Sequence, residues 1–155
     1  MSDVVIRRAG IGDAHVLAKL RWRFKREDDE SLRGEGEFVA ACEEWLRTRM
    51  AGSWRVWLAE VDGQPGGHVF LCLVEKVPSP FPGSVALGYV TNFYVAPQLG
   101  NRGVGRALLD EVSRYARGQG LETLIVWPSE RSAPLYRRCG YSRSDELLEQ
   151  PIAPS

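Results

Sequence analysis

The chain is predicted to fold as one α/β (α+β) unit, a single mixed β-sheet with helices on its faces. Three observations carry that expectation. Its 155 residues suit one domain spanning 1–155, long enough to bury roughly two-thirds of its unfolded surface. Apolar runs of period two alternate with stretches of helical period, in the order strand, helix, helix, three strands, helix, strand, helix, strand. That order mixes a hairpin with one β-α-β crossover, which calls for a mixed sheet.

Val4 to Arg8 reads as the first strand. Asp13 is placed to cap a helix carrying Val16, Leu17, Leu20 and Phe24 on its apolar face. The acidic connection KREDDESLRGEGE leads to a second helix, about Phe38 to Met50, with Phe38, Ala41, Trp45 and Leu46 as the expected buried stripe. Trp54 to Val61 and His68 to Lys76 are the arms of a hairpin turned at Asp62-Gly63. VPSPFPGS, with three prolines and a glycine, reads as an exposed loop. A strand through Tyr89–Val95 is ended by Pro97, which has no N–H for the ladder. The helix after it carries Val104, Leu108, Val112 and Tyr115 on one face and stops at Gly118 and Gly120. Leu121 to Trp127 is expected as a buried strand, SERSAPLYRRCGY as a short helix ending at Gly140, and Tyr141 to Leu148 as a last strand.

Composition narrows the function. Twenty basic residues balance twenty acidic ones, which argues against a nucleic-acid binder with a broad basic face. No apolar run approaches the length of a membrane span, and MSDVVIRRAGIGDAHV lacks the apolar core of a signal peptide. Cys42, Cys72 and Cys139 are odd in number and widely spaced. They suit neither a disulfide framework nor a metal site and imply a reducing, cytoplasmic setting.

The chemistry gathers at VAPQLGNRGVGRALL. Gly100, Gly103 and Gly105 stand between a strand and a helix start, with Arg102 and Arg106 alongside. The first amides of a helix lack intrahelical partners and the helix dipole makes that end positive, so the turn is built to hold an anion such as phosphate. A P-loop would need Lys followed by Ser or Thr, and a Rossmann fingerprint a third glycine where Leu108 stands. Neither fingerprint is complete, which makes a nucleotide-binding regulator the weaker reading.

The segment resembles the GNAT superfamily of acyl-CoA-dependent N-acetyltransferases, whose signature is Gln or Arg, two residues, Gly, any residue, then Gly or Ala, opening a helix after a strand. Gly103 and Gly105 are the two motif glycines, while Gly100 holds the place usual for Gln or Arg. The resemblance implies that acetyl-CoA is the co-substrate. Its pyrophosphate would meet the amides of Asn101, Arg102, Gly103, Val104, Gly105 and Arg106, and its thioester carbonyl the strand N–H groups of Phe93, Tyr94 and Val95. The family order of elements is the order read here over nearly the whole chain.

A second matching segment is SERSAPLYRRCGY, where Ser129, Ser132, Ala133, Tyr136, Gly140 and Tyr141 follow the family pattern with Ser in place of Asn. It implies that Ser132 lies at the cofactor and that the Tyr136 hydroxyl protonates the departing thiolate. The amine, of a small molecule or peptide, would attack the thioester directly in a ternary complex, and a homodimer is compatible with the family. No carboxylate lies in GYVTNFYV to serve as base. Tyr89, Asn92 or Tyr94 ordering a water, or Glu75 or Glu130, are the candidates. The run Glu27–Glu30 reads either as a border of the acceptor site or as a solvated loop. His15 and His68 read as structural or exposed. The alternative to an enzyme is a non-catalytic acyl-CoA sensor: Gly100 favours it, and Tyr136 favours catalysis.

Overall fold

The computed structural model describes residues 3–153. Its strands are β1 (Val4–Arg8), β2 (Trp54–Val61), β3 (Gln64–Glu75), β4 (Ala86–Val95) and β5 (Leu124–Val126). Its helices are α1 (Ala14–Asp28), α2 (Glu35–Arg49), α3 (Val104–Gln119) and α4 (Ala133–Arg138). The strands form one sheet in the order β1-β2-β3-β4-β5, with β4 and β5 parallel and the other neighbours antiparallel. The mixed sheet with flanking helices is the one expected.

Each face has its own core. Val56, Leu58, Phe70 and Tyr94 pack beneath α1 and α2 with Leu17, Trp22 and Leu46. Trp57, Val69, Leu71 and Val90 pack beneath α3 and α4 with Leu108, Val112 and Tyr136. Since neighbouring strand residues point to opposite faces and both faces are covered, the central strands read as near-continuous apolar runs. The hairpin turn has Asp62 at φ 53° and Gly63 at φ 79°, the two positive values that a type I′ turn requires. Pairing therefore starts at once, Val61 opposite Gln64, and β3 begins four residues earlier than His68.

Several expectations are corrected. No strand forms between Tyr141 and Leu148. Leu147 and Leu148 are adjacent rather than alternating, they are 56% and 92% exposed, and RSDE before them offers no face to bury. β5 covers only three residues and sits at the sheet edge, so it is half-buried rather than buried. Asp13 makes no side-chain cap on α1. Its carboxylate accepts the Gly10 N–H (2.8 Å) and a two-pronged pair from Arg7 (2.8 and 2.9 Å), tying the turn before α1 to β1. On α2 the inward stripe is Val39, Cys42 and Leu46 rather than Ala41 and Trp45; Trp45 is 40% exposed and leans on Trp54.

Candidate active site

The site begins with an irregularity in β4. Thr91 lies opposite Phe70 and Tyr94 opposite His68, so β4 spends three residue steps where β3 spends two. That is a β-bulge, and it places Asn92 at φ 51°, a left-handed conformation that asparagine tolerates better than most residues. The extra residue changes which backbone groups face which neighbour. Before the bulge Gly88 N–H points to β5's side, donating to the Thr123 carbonyl (2.9 Å). After it Ala96 N–H donates the other way, to Gly66 of β3 (2.8 Å). Strand alternation then turns the amides and carbonyls of Phe93 and Val95 towards β5. β5, however, pairs with β4 only through Gly88–Val90. The end of β4 therefore presents an open edge.

Two hydrogen bonds hold the bulge. His68 Nδ1–H donates to the Asn92 carbonyl (2.8 Å), and Arg21 Nη1 donates to Asn92 Oδ1 (2.6 Å). His68 is fully buried between Phe70 and Tyr94, and its Nε2 has no partner. Burial lowers its pKa to about 4, so the ring is neutral near pH 7 and the donor role of Nδ1 is fixed by its acceptor-only partner. Sequence reading did not single out this pair. A histidine two places after Gly66 in an apolar strand was the available signal.

Beyond the open edge, Asn101 at φ 63° and Gly103 at φ 76° turn the chain into α3. The first helical bond is Ala107 N–H to Gly103 C=O (3.0 Å), so the amides of Gly103, Val104, Gly105 and Arg106 lie ahead of it at the positive end of a 16-residue helix. Gly105 permits a close approach: a Cβ there would meet Leu135 Cδ2 at 2.9 Å and Phe93 Cζ at 3.0 Å, so those side chains would have to shift. It is the point where α3, β4 and α4 touch. Gly100 needs no such freedom, with φ −59° and ψ 149°. Arg106 lies 3.8 Å from Asp110 across an exposed helical turn.

Tyr136 joins the same cluster. Its ring packs edge-on against Phe93 (5.6 Å between centroids) and Tyr141 (5.1 Å), and it is 3% exposed. Burial, aided by Tyr141 and Tyr89, pushes the phenol well above its usual range, so it keeps its proton. Ser132 precedes α4 and its hydroxyl bonds that of Ser129 (2.8 Å). Tyr94 faces the other way. Its ring stacks on Phe24 beneath α1, and its hydroxyl donates to Glu27 (2.6 Å). Of the proposed bases, Glu75 and Glu130 are exposed, and Tyr89 packs edge-on against Trp127. Two surface hollows lie elsewhere, beside Lys19 and Glu35 of α1 and α2; the open edge and the cradle adjoin where Gly105 meets Phe93 and Val95.

Residues 15–141 match the acetyltransferase (GNAT) family. The chain belongs to that family. A full-length likeness extends to the aminoglycoside N(6')-acetyltransferase type 1 of Stenotrophomonas maltophilia, 27% identical over 99% of this chain and 97% of the relative. A GCN5-related N-acetyltransferase from Ralstonia eutropha superposes with a TM-score of 0.74 at 28% identity, covering 97% and 99% of the two chains. A predicted acetyltransferase from Clostridium acetobutylicum, crystallised with acetyl-CoA, has the same fold (TM-score 0.75, 21% identity, 96% of each chain). This GNAT chain is therefore an acetyltransferase, as the retained tyrosine segment implied. Among the described residues no cluster of metal-ligating side chains and no helix long and apolar enough to cross a membrane occurs.

Proposed function

We propose that the chain transfers the acetyl group of acetyl-CoA to a primary amine of a small molecule or peptide, by direct attack with both substrates bound. The observation that supports this most is the juxtaposition at Gly105. An anion-seeking helix start, an unpaired strand edge and a buried, protonated tyrosine meet there within side-chain contact. An extended ligand with a diphosphate at one end and amide-rich arms fits that combination: phosphates at the α3 amides of 103–106, amide and carbonyl groups along Phe93 and Val95.

Acetyl-CoA supplies an acetyl group already activated as a thioester. The chain's part is to hold and to steer protons. Phe93 and Val95 N–H groups, fixed by the bulge, stabilise negative charge on the acetyl oxygen as the nitrogen–carbon bond forms. Tyr136 gives its hydroxyl proton to the sulfur when the carbon–sulfur bond breaks, and regains one from the proton the amine releases. Proximity of the two substrates contributes much of the remaining acceleration.

Tyr136→Phe tests the assignment. Acetyl-CoA affinity, measured by calorimetry, should stay within about twofold, because the ring remains, while kcat falls by roughly a hundredfold or more as expected for a lost general acid. Undiminished kcat would remove Tyr136 from the mechanism.

A further inference from the structure

Arg21 lies half-buried on the inner side of α1 with its guanidinium 6.0 Å from the Phe24 ring, and among the described residues its hydrogen bond to Asn92 uses a single donor of five. No described carboxylate forms an ion pair with it, although Arg23, two residues on, lies 3.7 Å from Glu27. Burial, the main influence on its guanidinium, draws it below the usual arginine range, with Cys42 and Asp28 acting only through space. A half-buried guanidinium with no carboxylate paired to it has donors to spare for an arriving anion.

Its surroundings favour the same ligand. Lys25, one turn along, holds its ammonium 4.8 Å from the Phe24 ring and forms no ion pair among the described residues. Of the nearby acids, Glu27 accepts from Tyr94 and Asp29 from the Ser31 amide and hydroxyl, while Asp28 acts on Arg21 only through space.

Position links this cation to the reaction. Phe93 faces α3 and Gly105, whereas Asn92, one residue earlier, faces α1 and Arg21. The bulge is where the two faces of the sheet communicate. With the α3 cradle occupied on one face, an amine reaches the same edge from the other, past Arg21. We propose that Arg21 receives an anionic group, carboxylate or phosphate, on the acceptor amine and so selects acidic amines over neutral or polycationic ones. This rests on the acetyl-transfer reading above.

Matched acceptors test it in the whole protein with saturating acetyl-CoA, following release of the coenzyme A thiol. One pair is glucosamine 6-phosphate and glucosamine. The other is an amino acid and its amide, compared per unit of unprotonated amine. The anionic member of at least one pair should show a kcat/KM about ten- to a hundredfold higher, the range for a hydrogen bond to a charged group. The responding pair identifies phosphate or carboxylate. Arg21→Gln should collapse that ratio towards one by lowering kcat/KM for the anionic member more than for its neutral match, and Arg21→Lys should restore part of it. Should Arg21→Gln fail to fold, Lys25→Gln at the helix surface should lower the same ratio by a smaller factor. Ratios near or below one in both pairs, or ratios untouched by these substitutions, overturn the proposal. Absent acetyl-CoA binding would instead defeat the acetyl-transfer reading, and this selectivity with it.

Discussion

His68 is the residue whose chemistry departs furthest from its sequence appearance. Read in isolation it is one histidine in a strand; in the structure it is wholly enclosed, neutral, and bonded to the carbonyl of the bulge. Its pKa falls from 6.5 to about 4 because burial penalises the charged ring. The folded state therefore binds fewer protons than the unfolded state between those values, and stability rises with pH across that window. Its contribution is intact above pH 6.5 and is lost as pH falls towards 4. The expected loss between pH 7 and pH 5 is about 2 kcal/mol from this group alone. Urea unfolding at the two pH values, in the parent and in His68→Gln, measures it. The variant should have a flatter pH dependence whatever its absolute stability, and an unchanged slope would show that His68 is not the group titrating. Tyr136 differs in being partly legible: its position in SERSAPLYRRCGY suggested a role, but its burial against Phe93 and Tyr141 came only from the fold.

At the scale of elements, β4 carries the site because it is irregular. Glycine spacing and helix period made the cradle and α3 readable, since both are local signals. The bulge was not readable, because it is defined by register against β3, a long-range property. The same holds for the missing last strand: Tyr141 to Leu148 has strand-like residues, but strand formation needs a partner edge and a face to bury. Asn92 tests the bulge directly. Asn92→Gly and Asn92→Val both lose the Arg21 bond, so their difference isolates the backbone. At φ 51° glycine is unstrained and valine is not, which should make the valine variant less stable by about 1–3 kcal/mol. Thermal or denaturant unfolding of the pair reads this out. Equal stabilities would mean that the bulge shifts register at little cost. In that case the fixed aim of the Phe93 and Val95 amides, and with it the preorganised oxyanion contact, would lose its basis.

Across the whole molecule, the sheet separates two cores, α1 and α2 on one face, α3 and α4 on the other. The order of elements predicted this layering. It could not predict that β5 pairs with only three residues of β4, which is what leaves the end of β4 open. An extended ligand lying there would bridge β4, the start of α3 and α4, parts that meet where Phe93 and Leu135 close on Gly105. Binding to the folded state alone must then stabilise the entire domain. Acetyl-CoA at a hundred times its dissociation constant should add about 2.7 kcal/mol, a rise in Tm of about 5–10 °C for a chain of this size. ATP and NAD at equal concentration should leave Tm nearly unchanged, because they share the phosphates but lack the pantetheine arm that reaches the β4 edge. A rise with all three would assign the α3 amides to phosphate recognition alone and remove β4 from cofactor binding. A rise with acetyl-CoA only, abolished in Gly105→Ala, would tie the effect to the contact between α3, β4 and α4. That substitution drives a Cβ to within 3.0 Å of Phe93 and closer to Leu135, so its own Tm serves as the baseline from which the ligand-induced shift is measured.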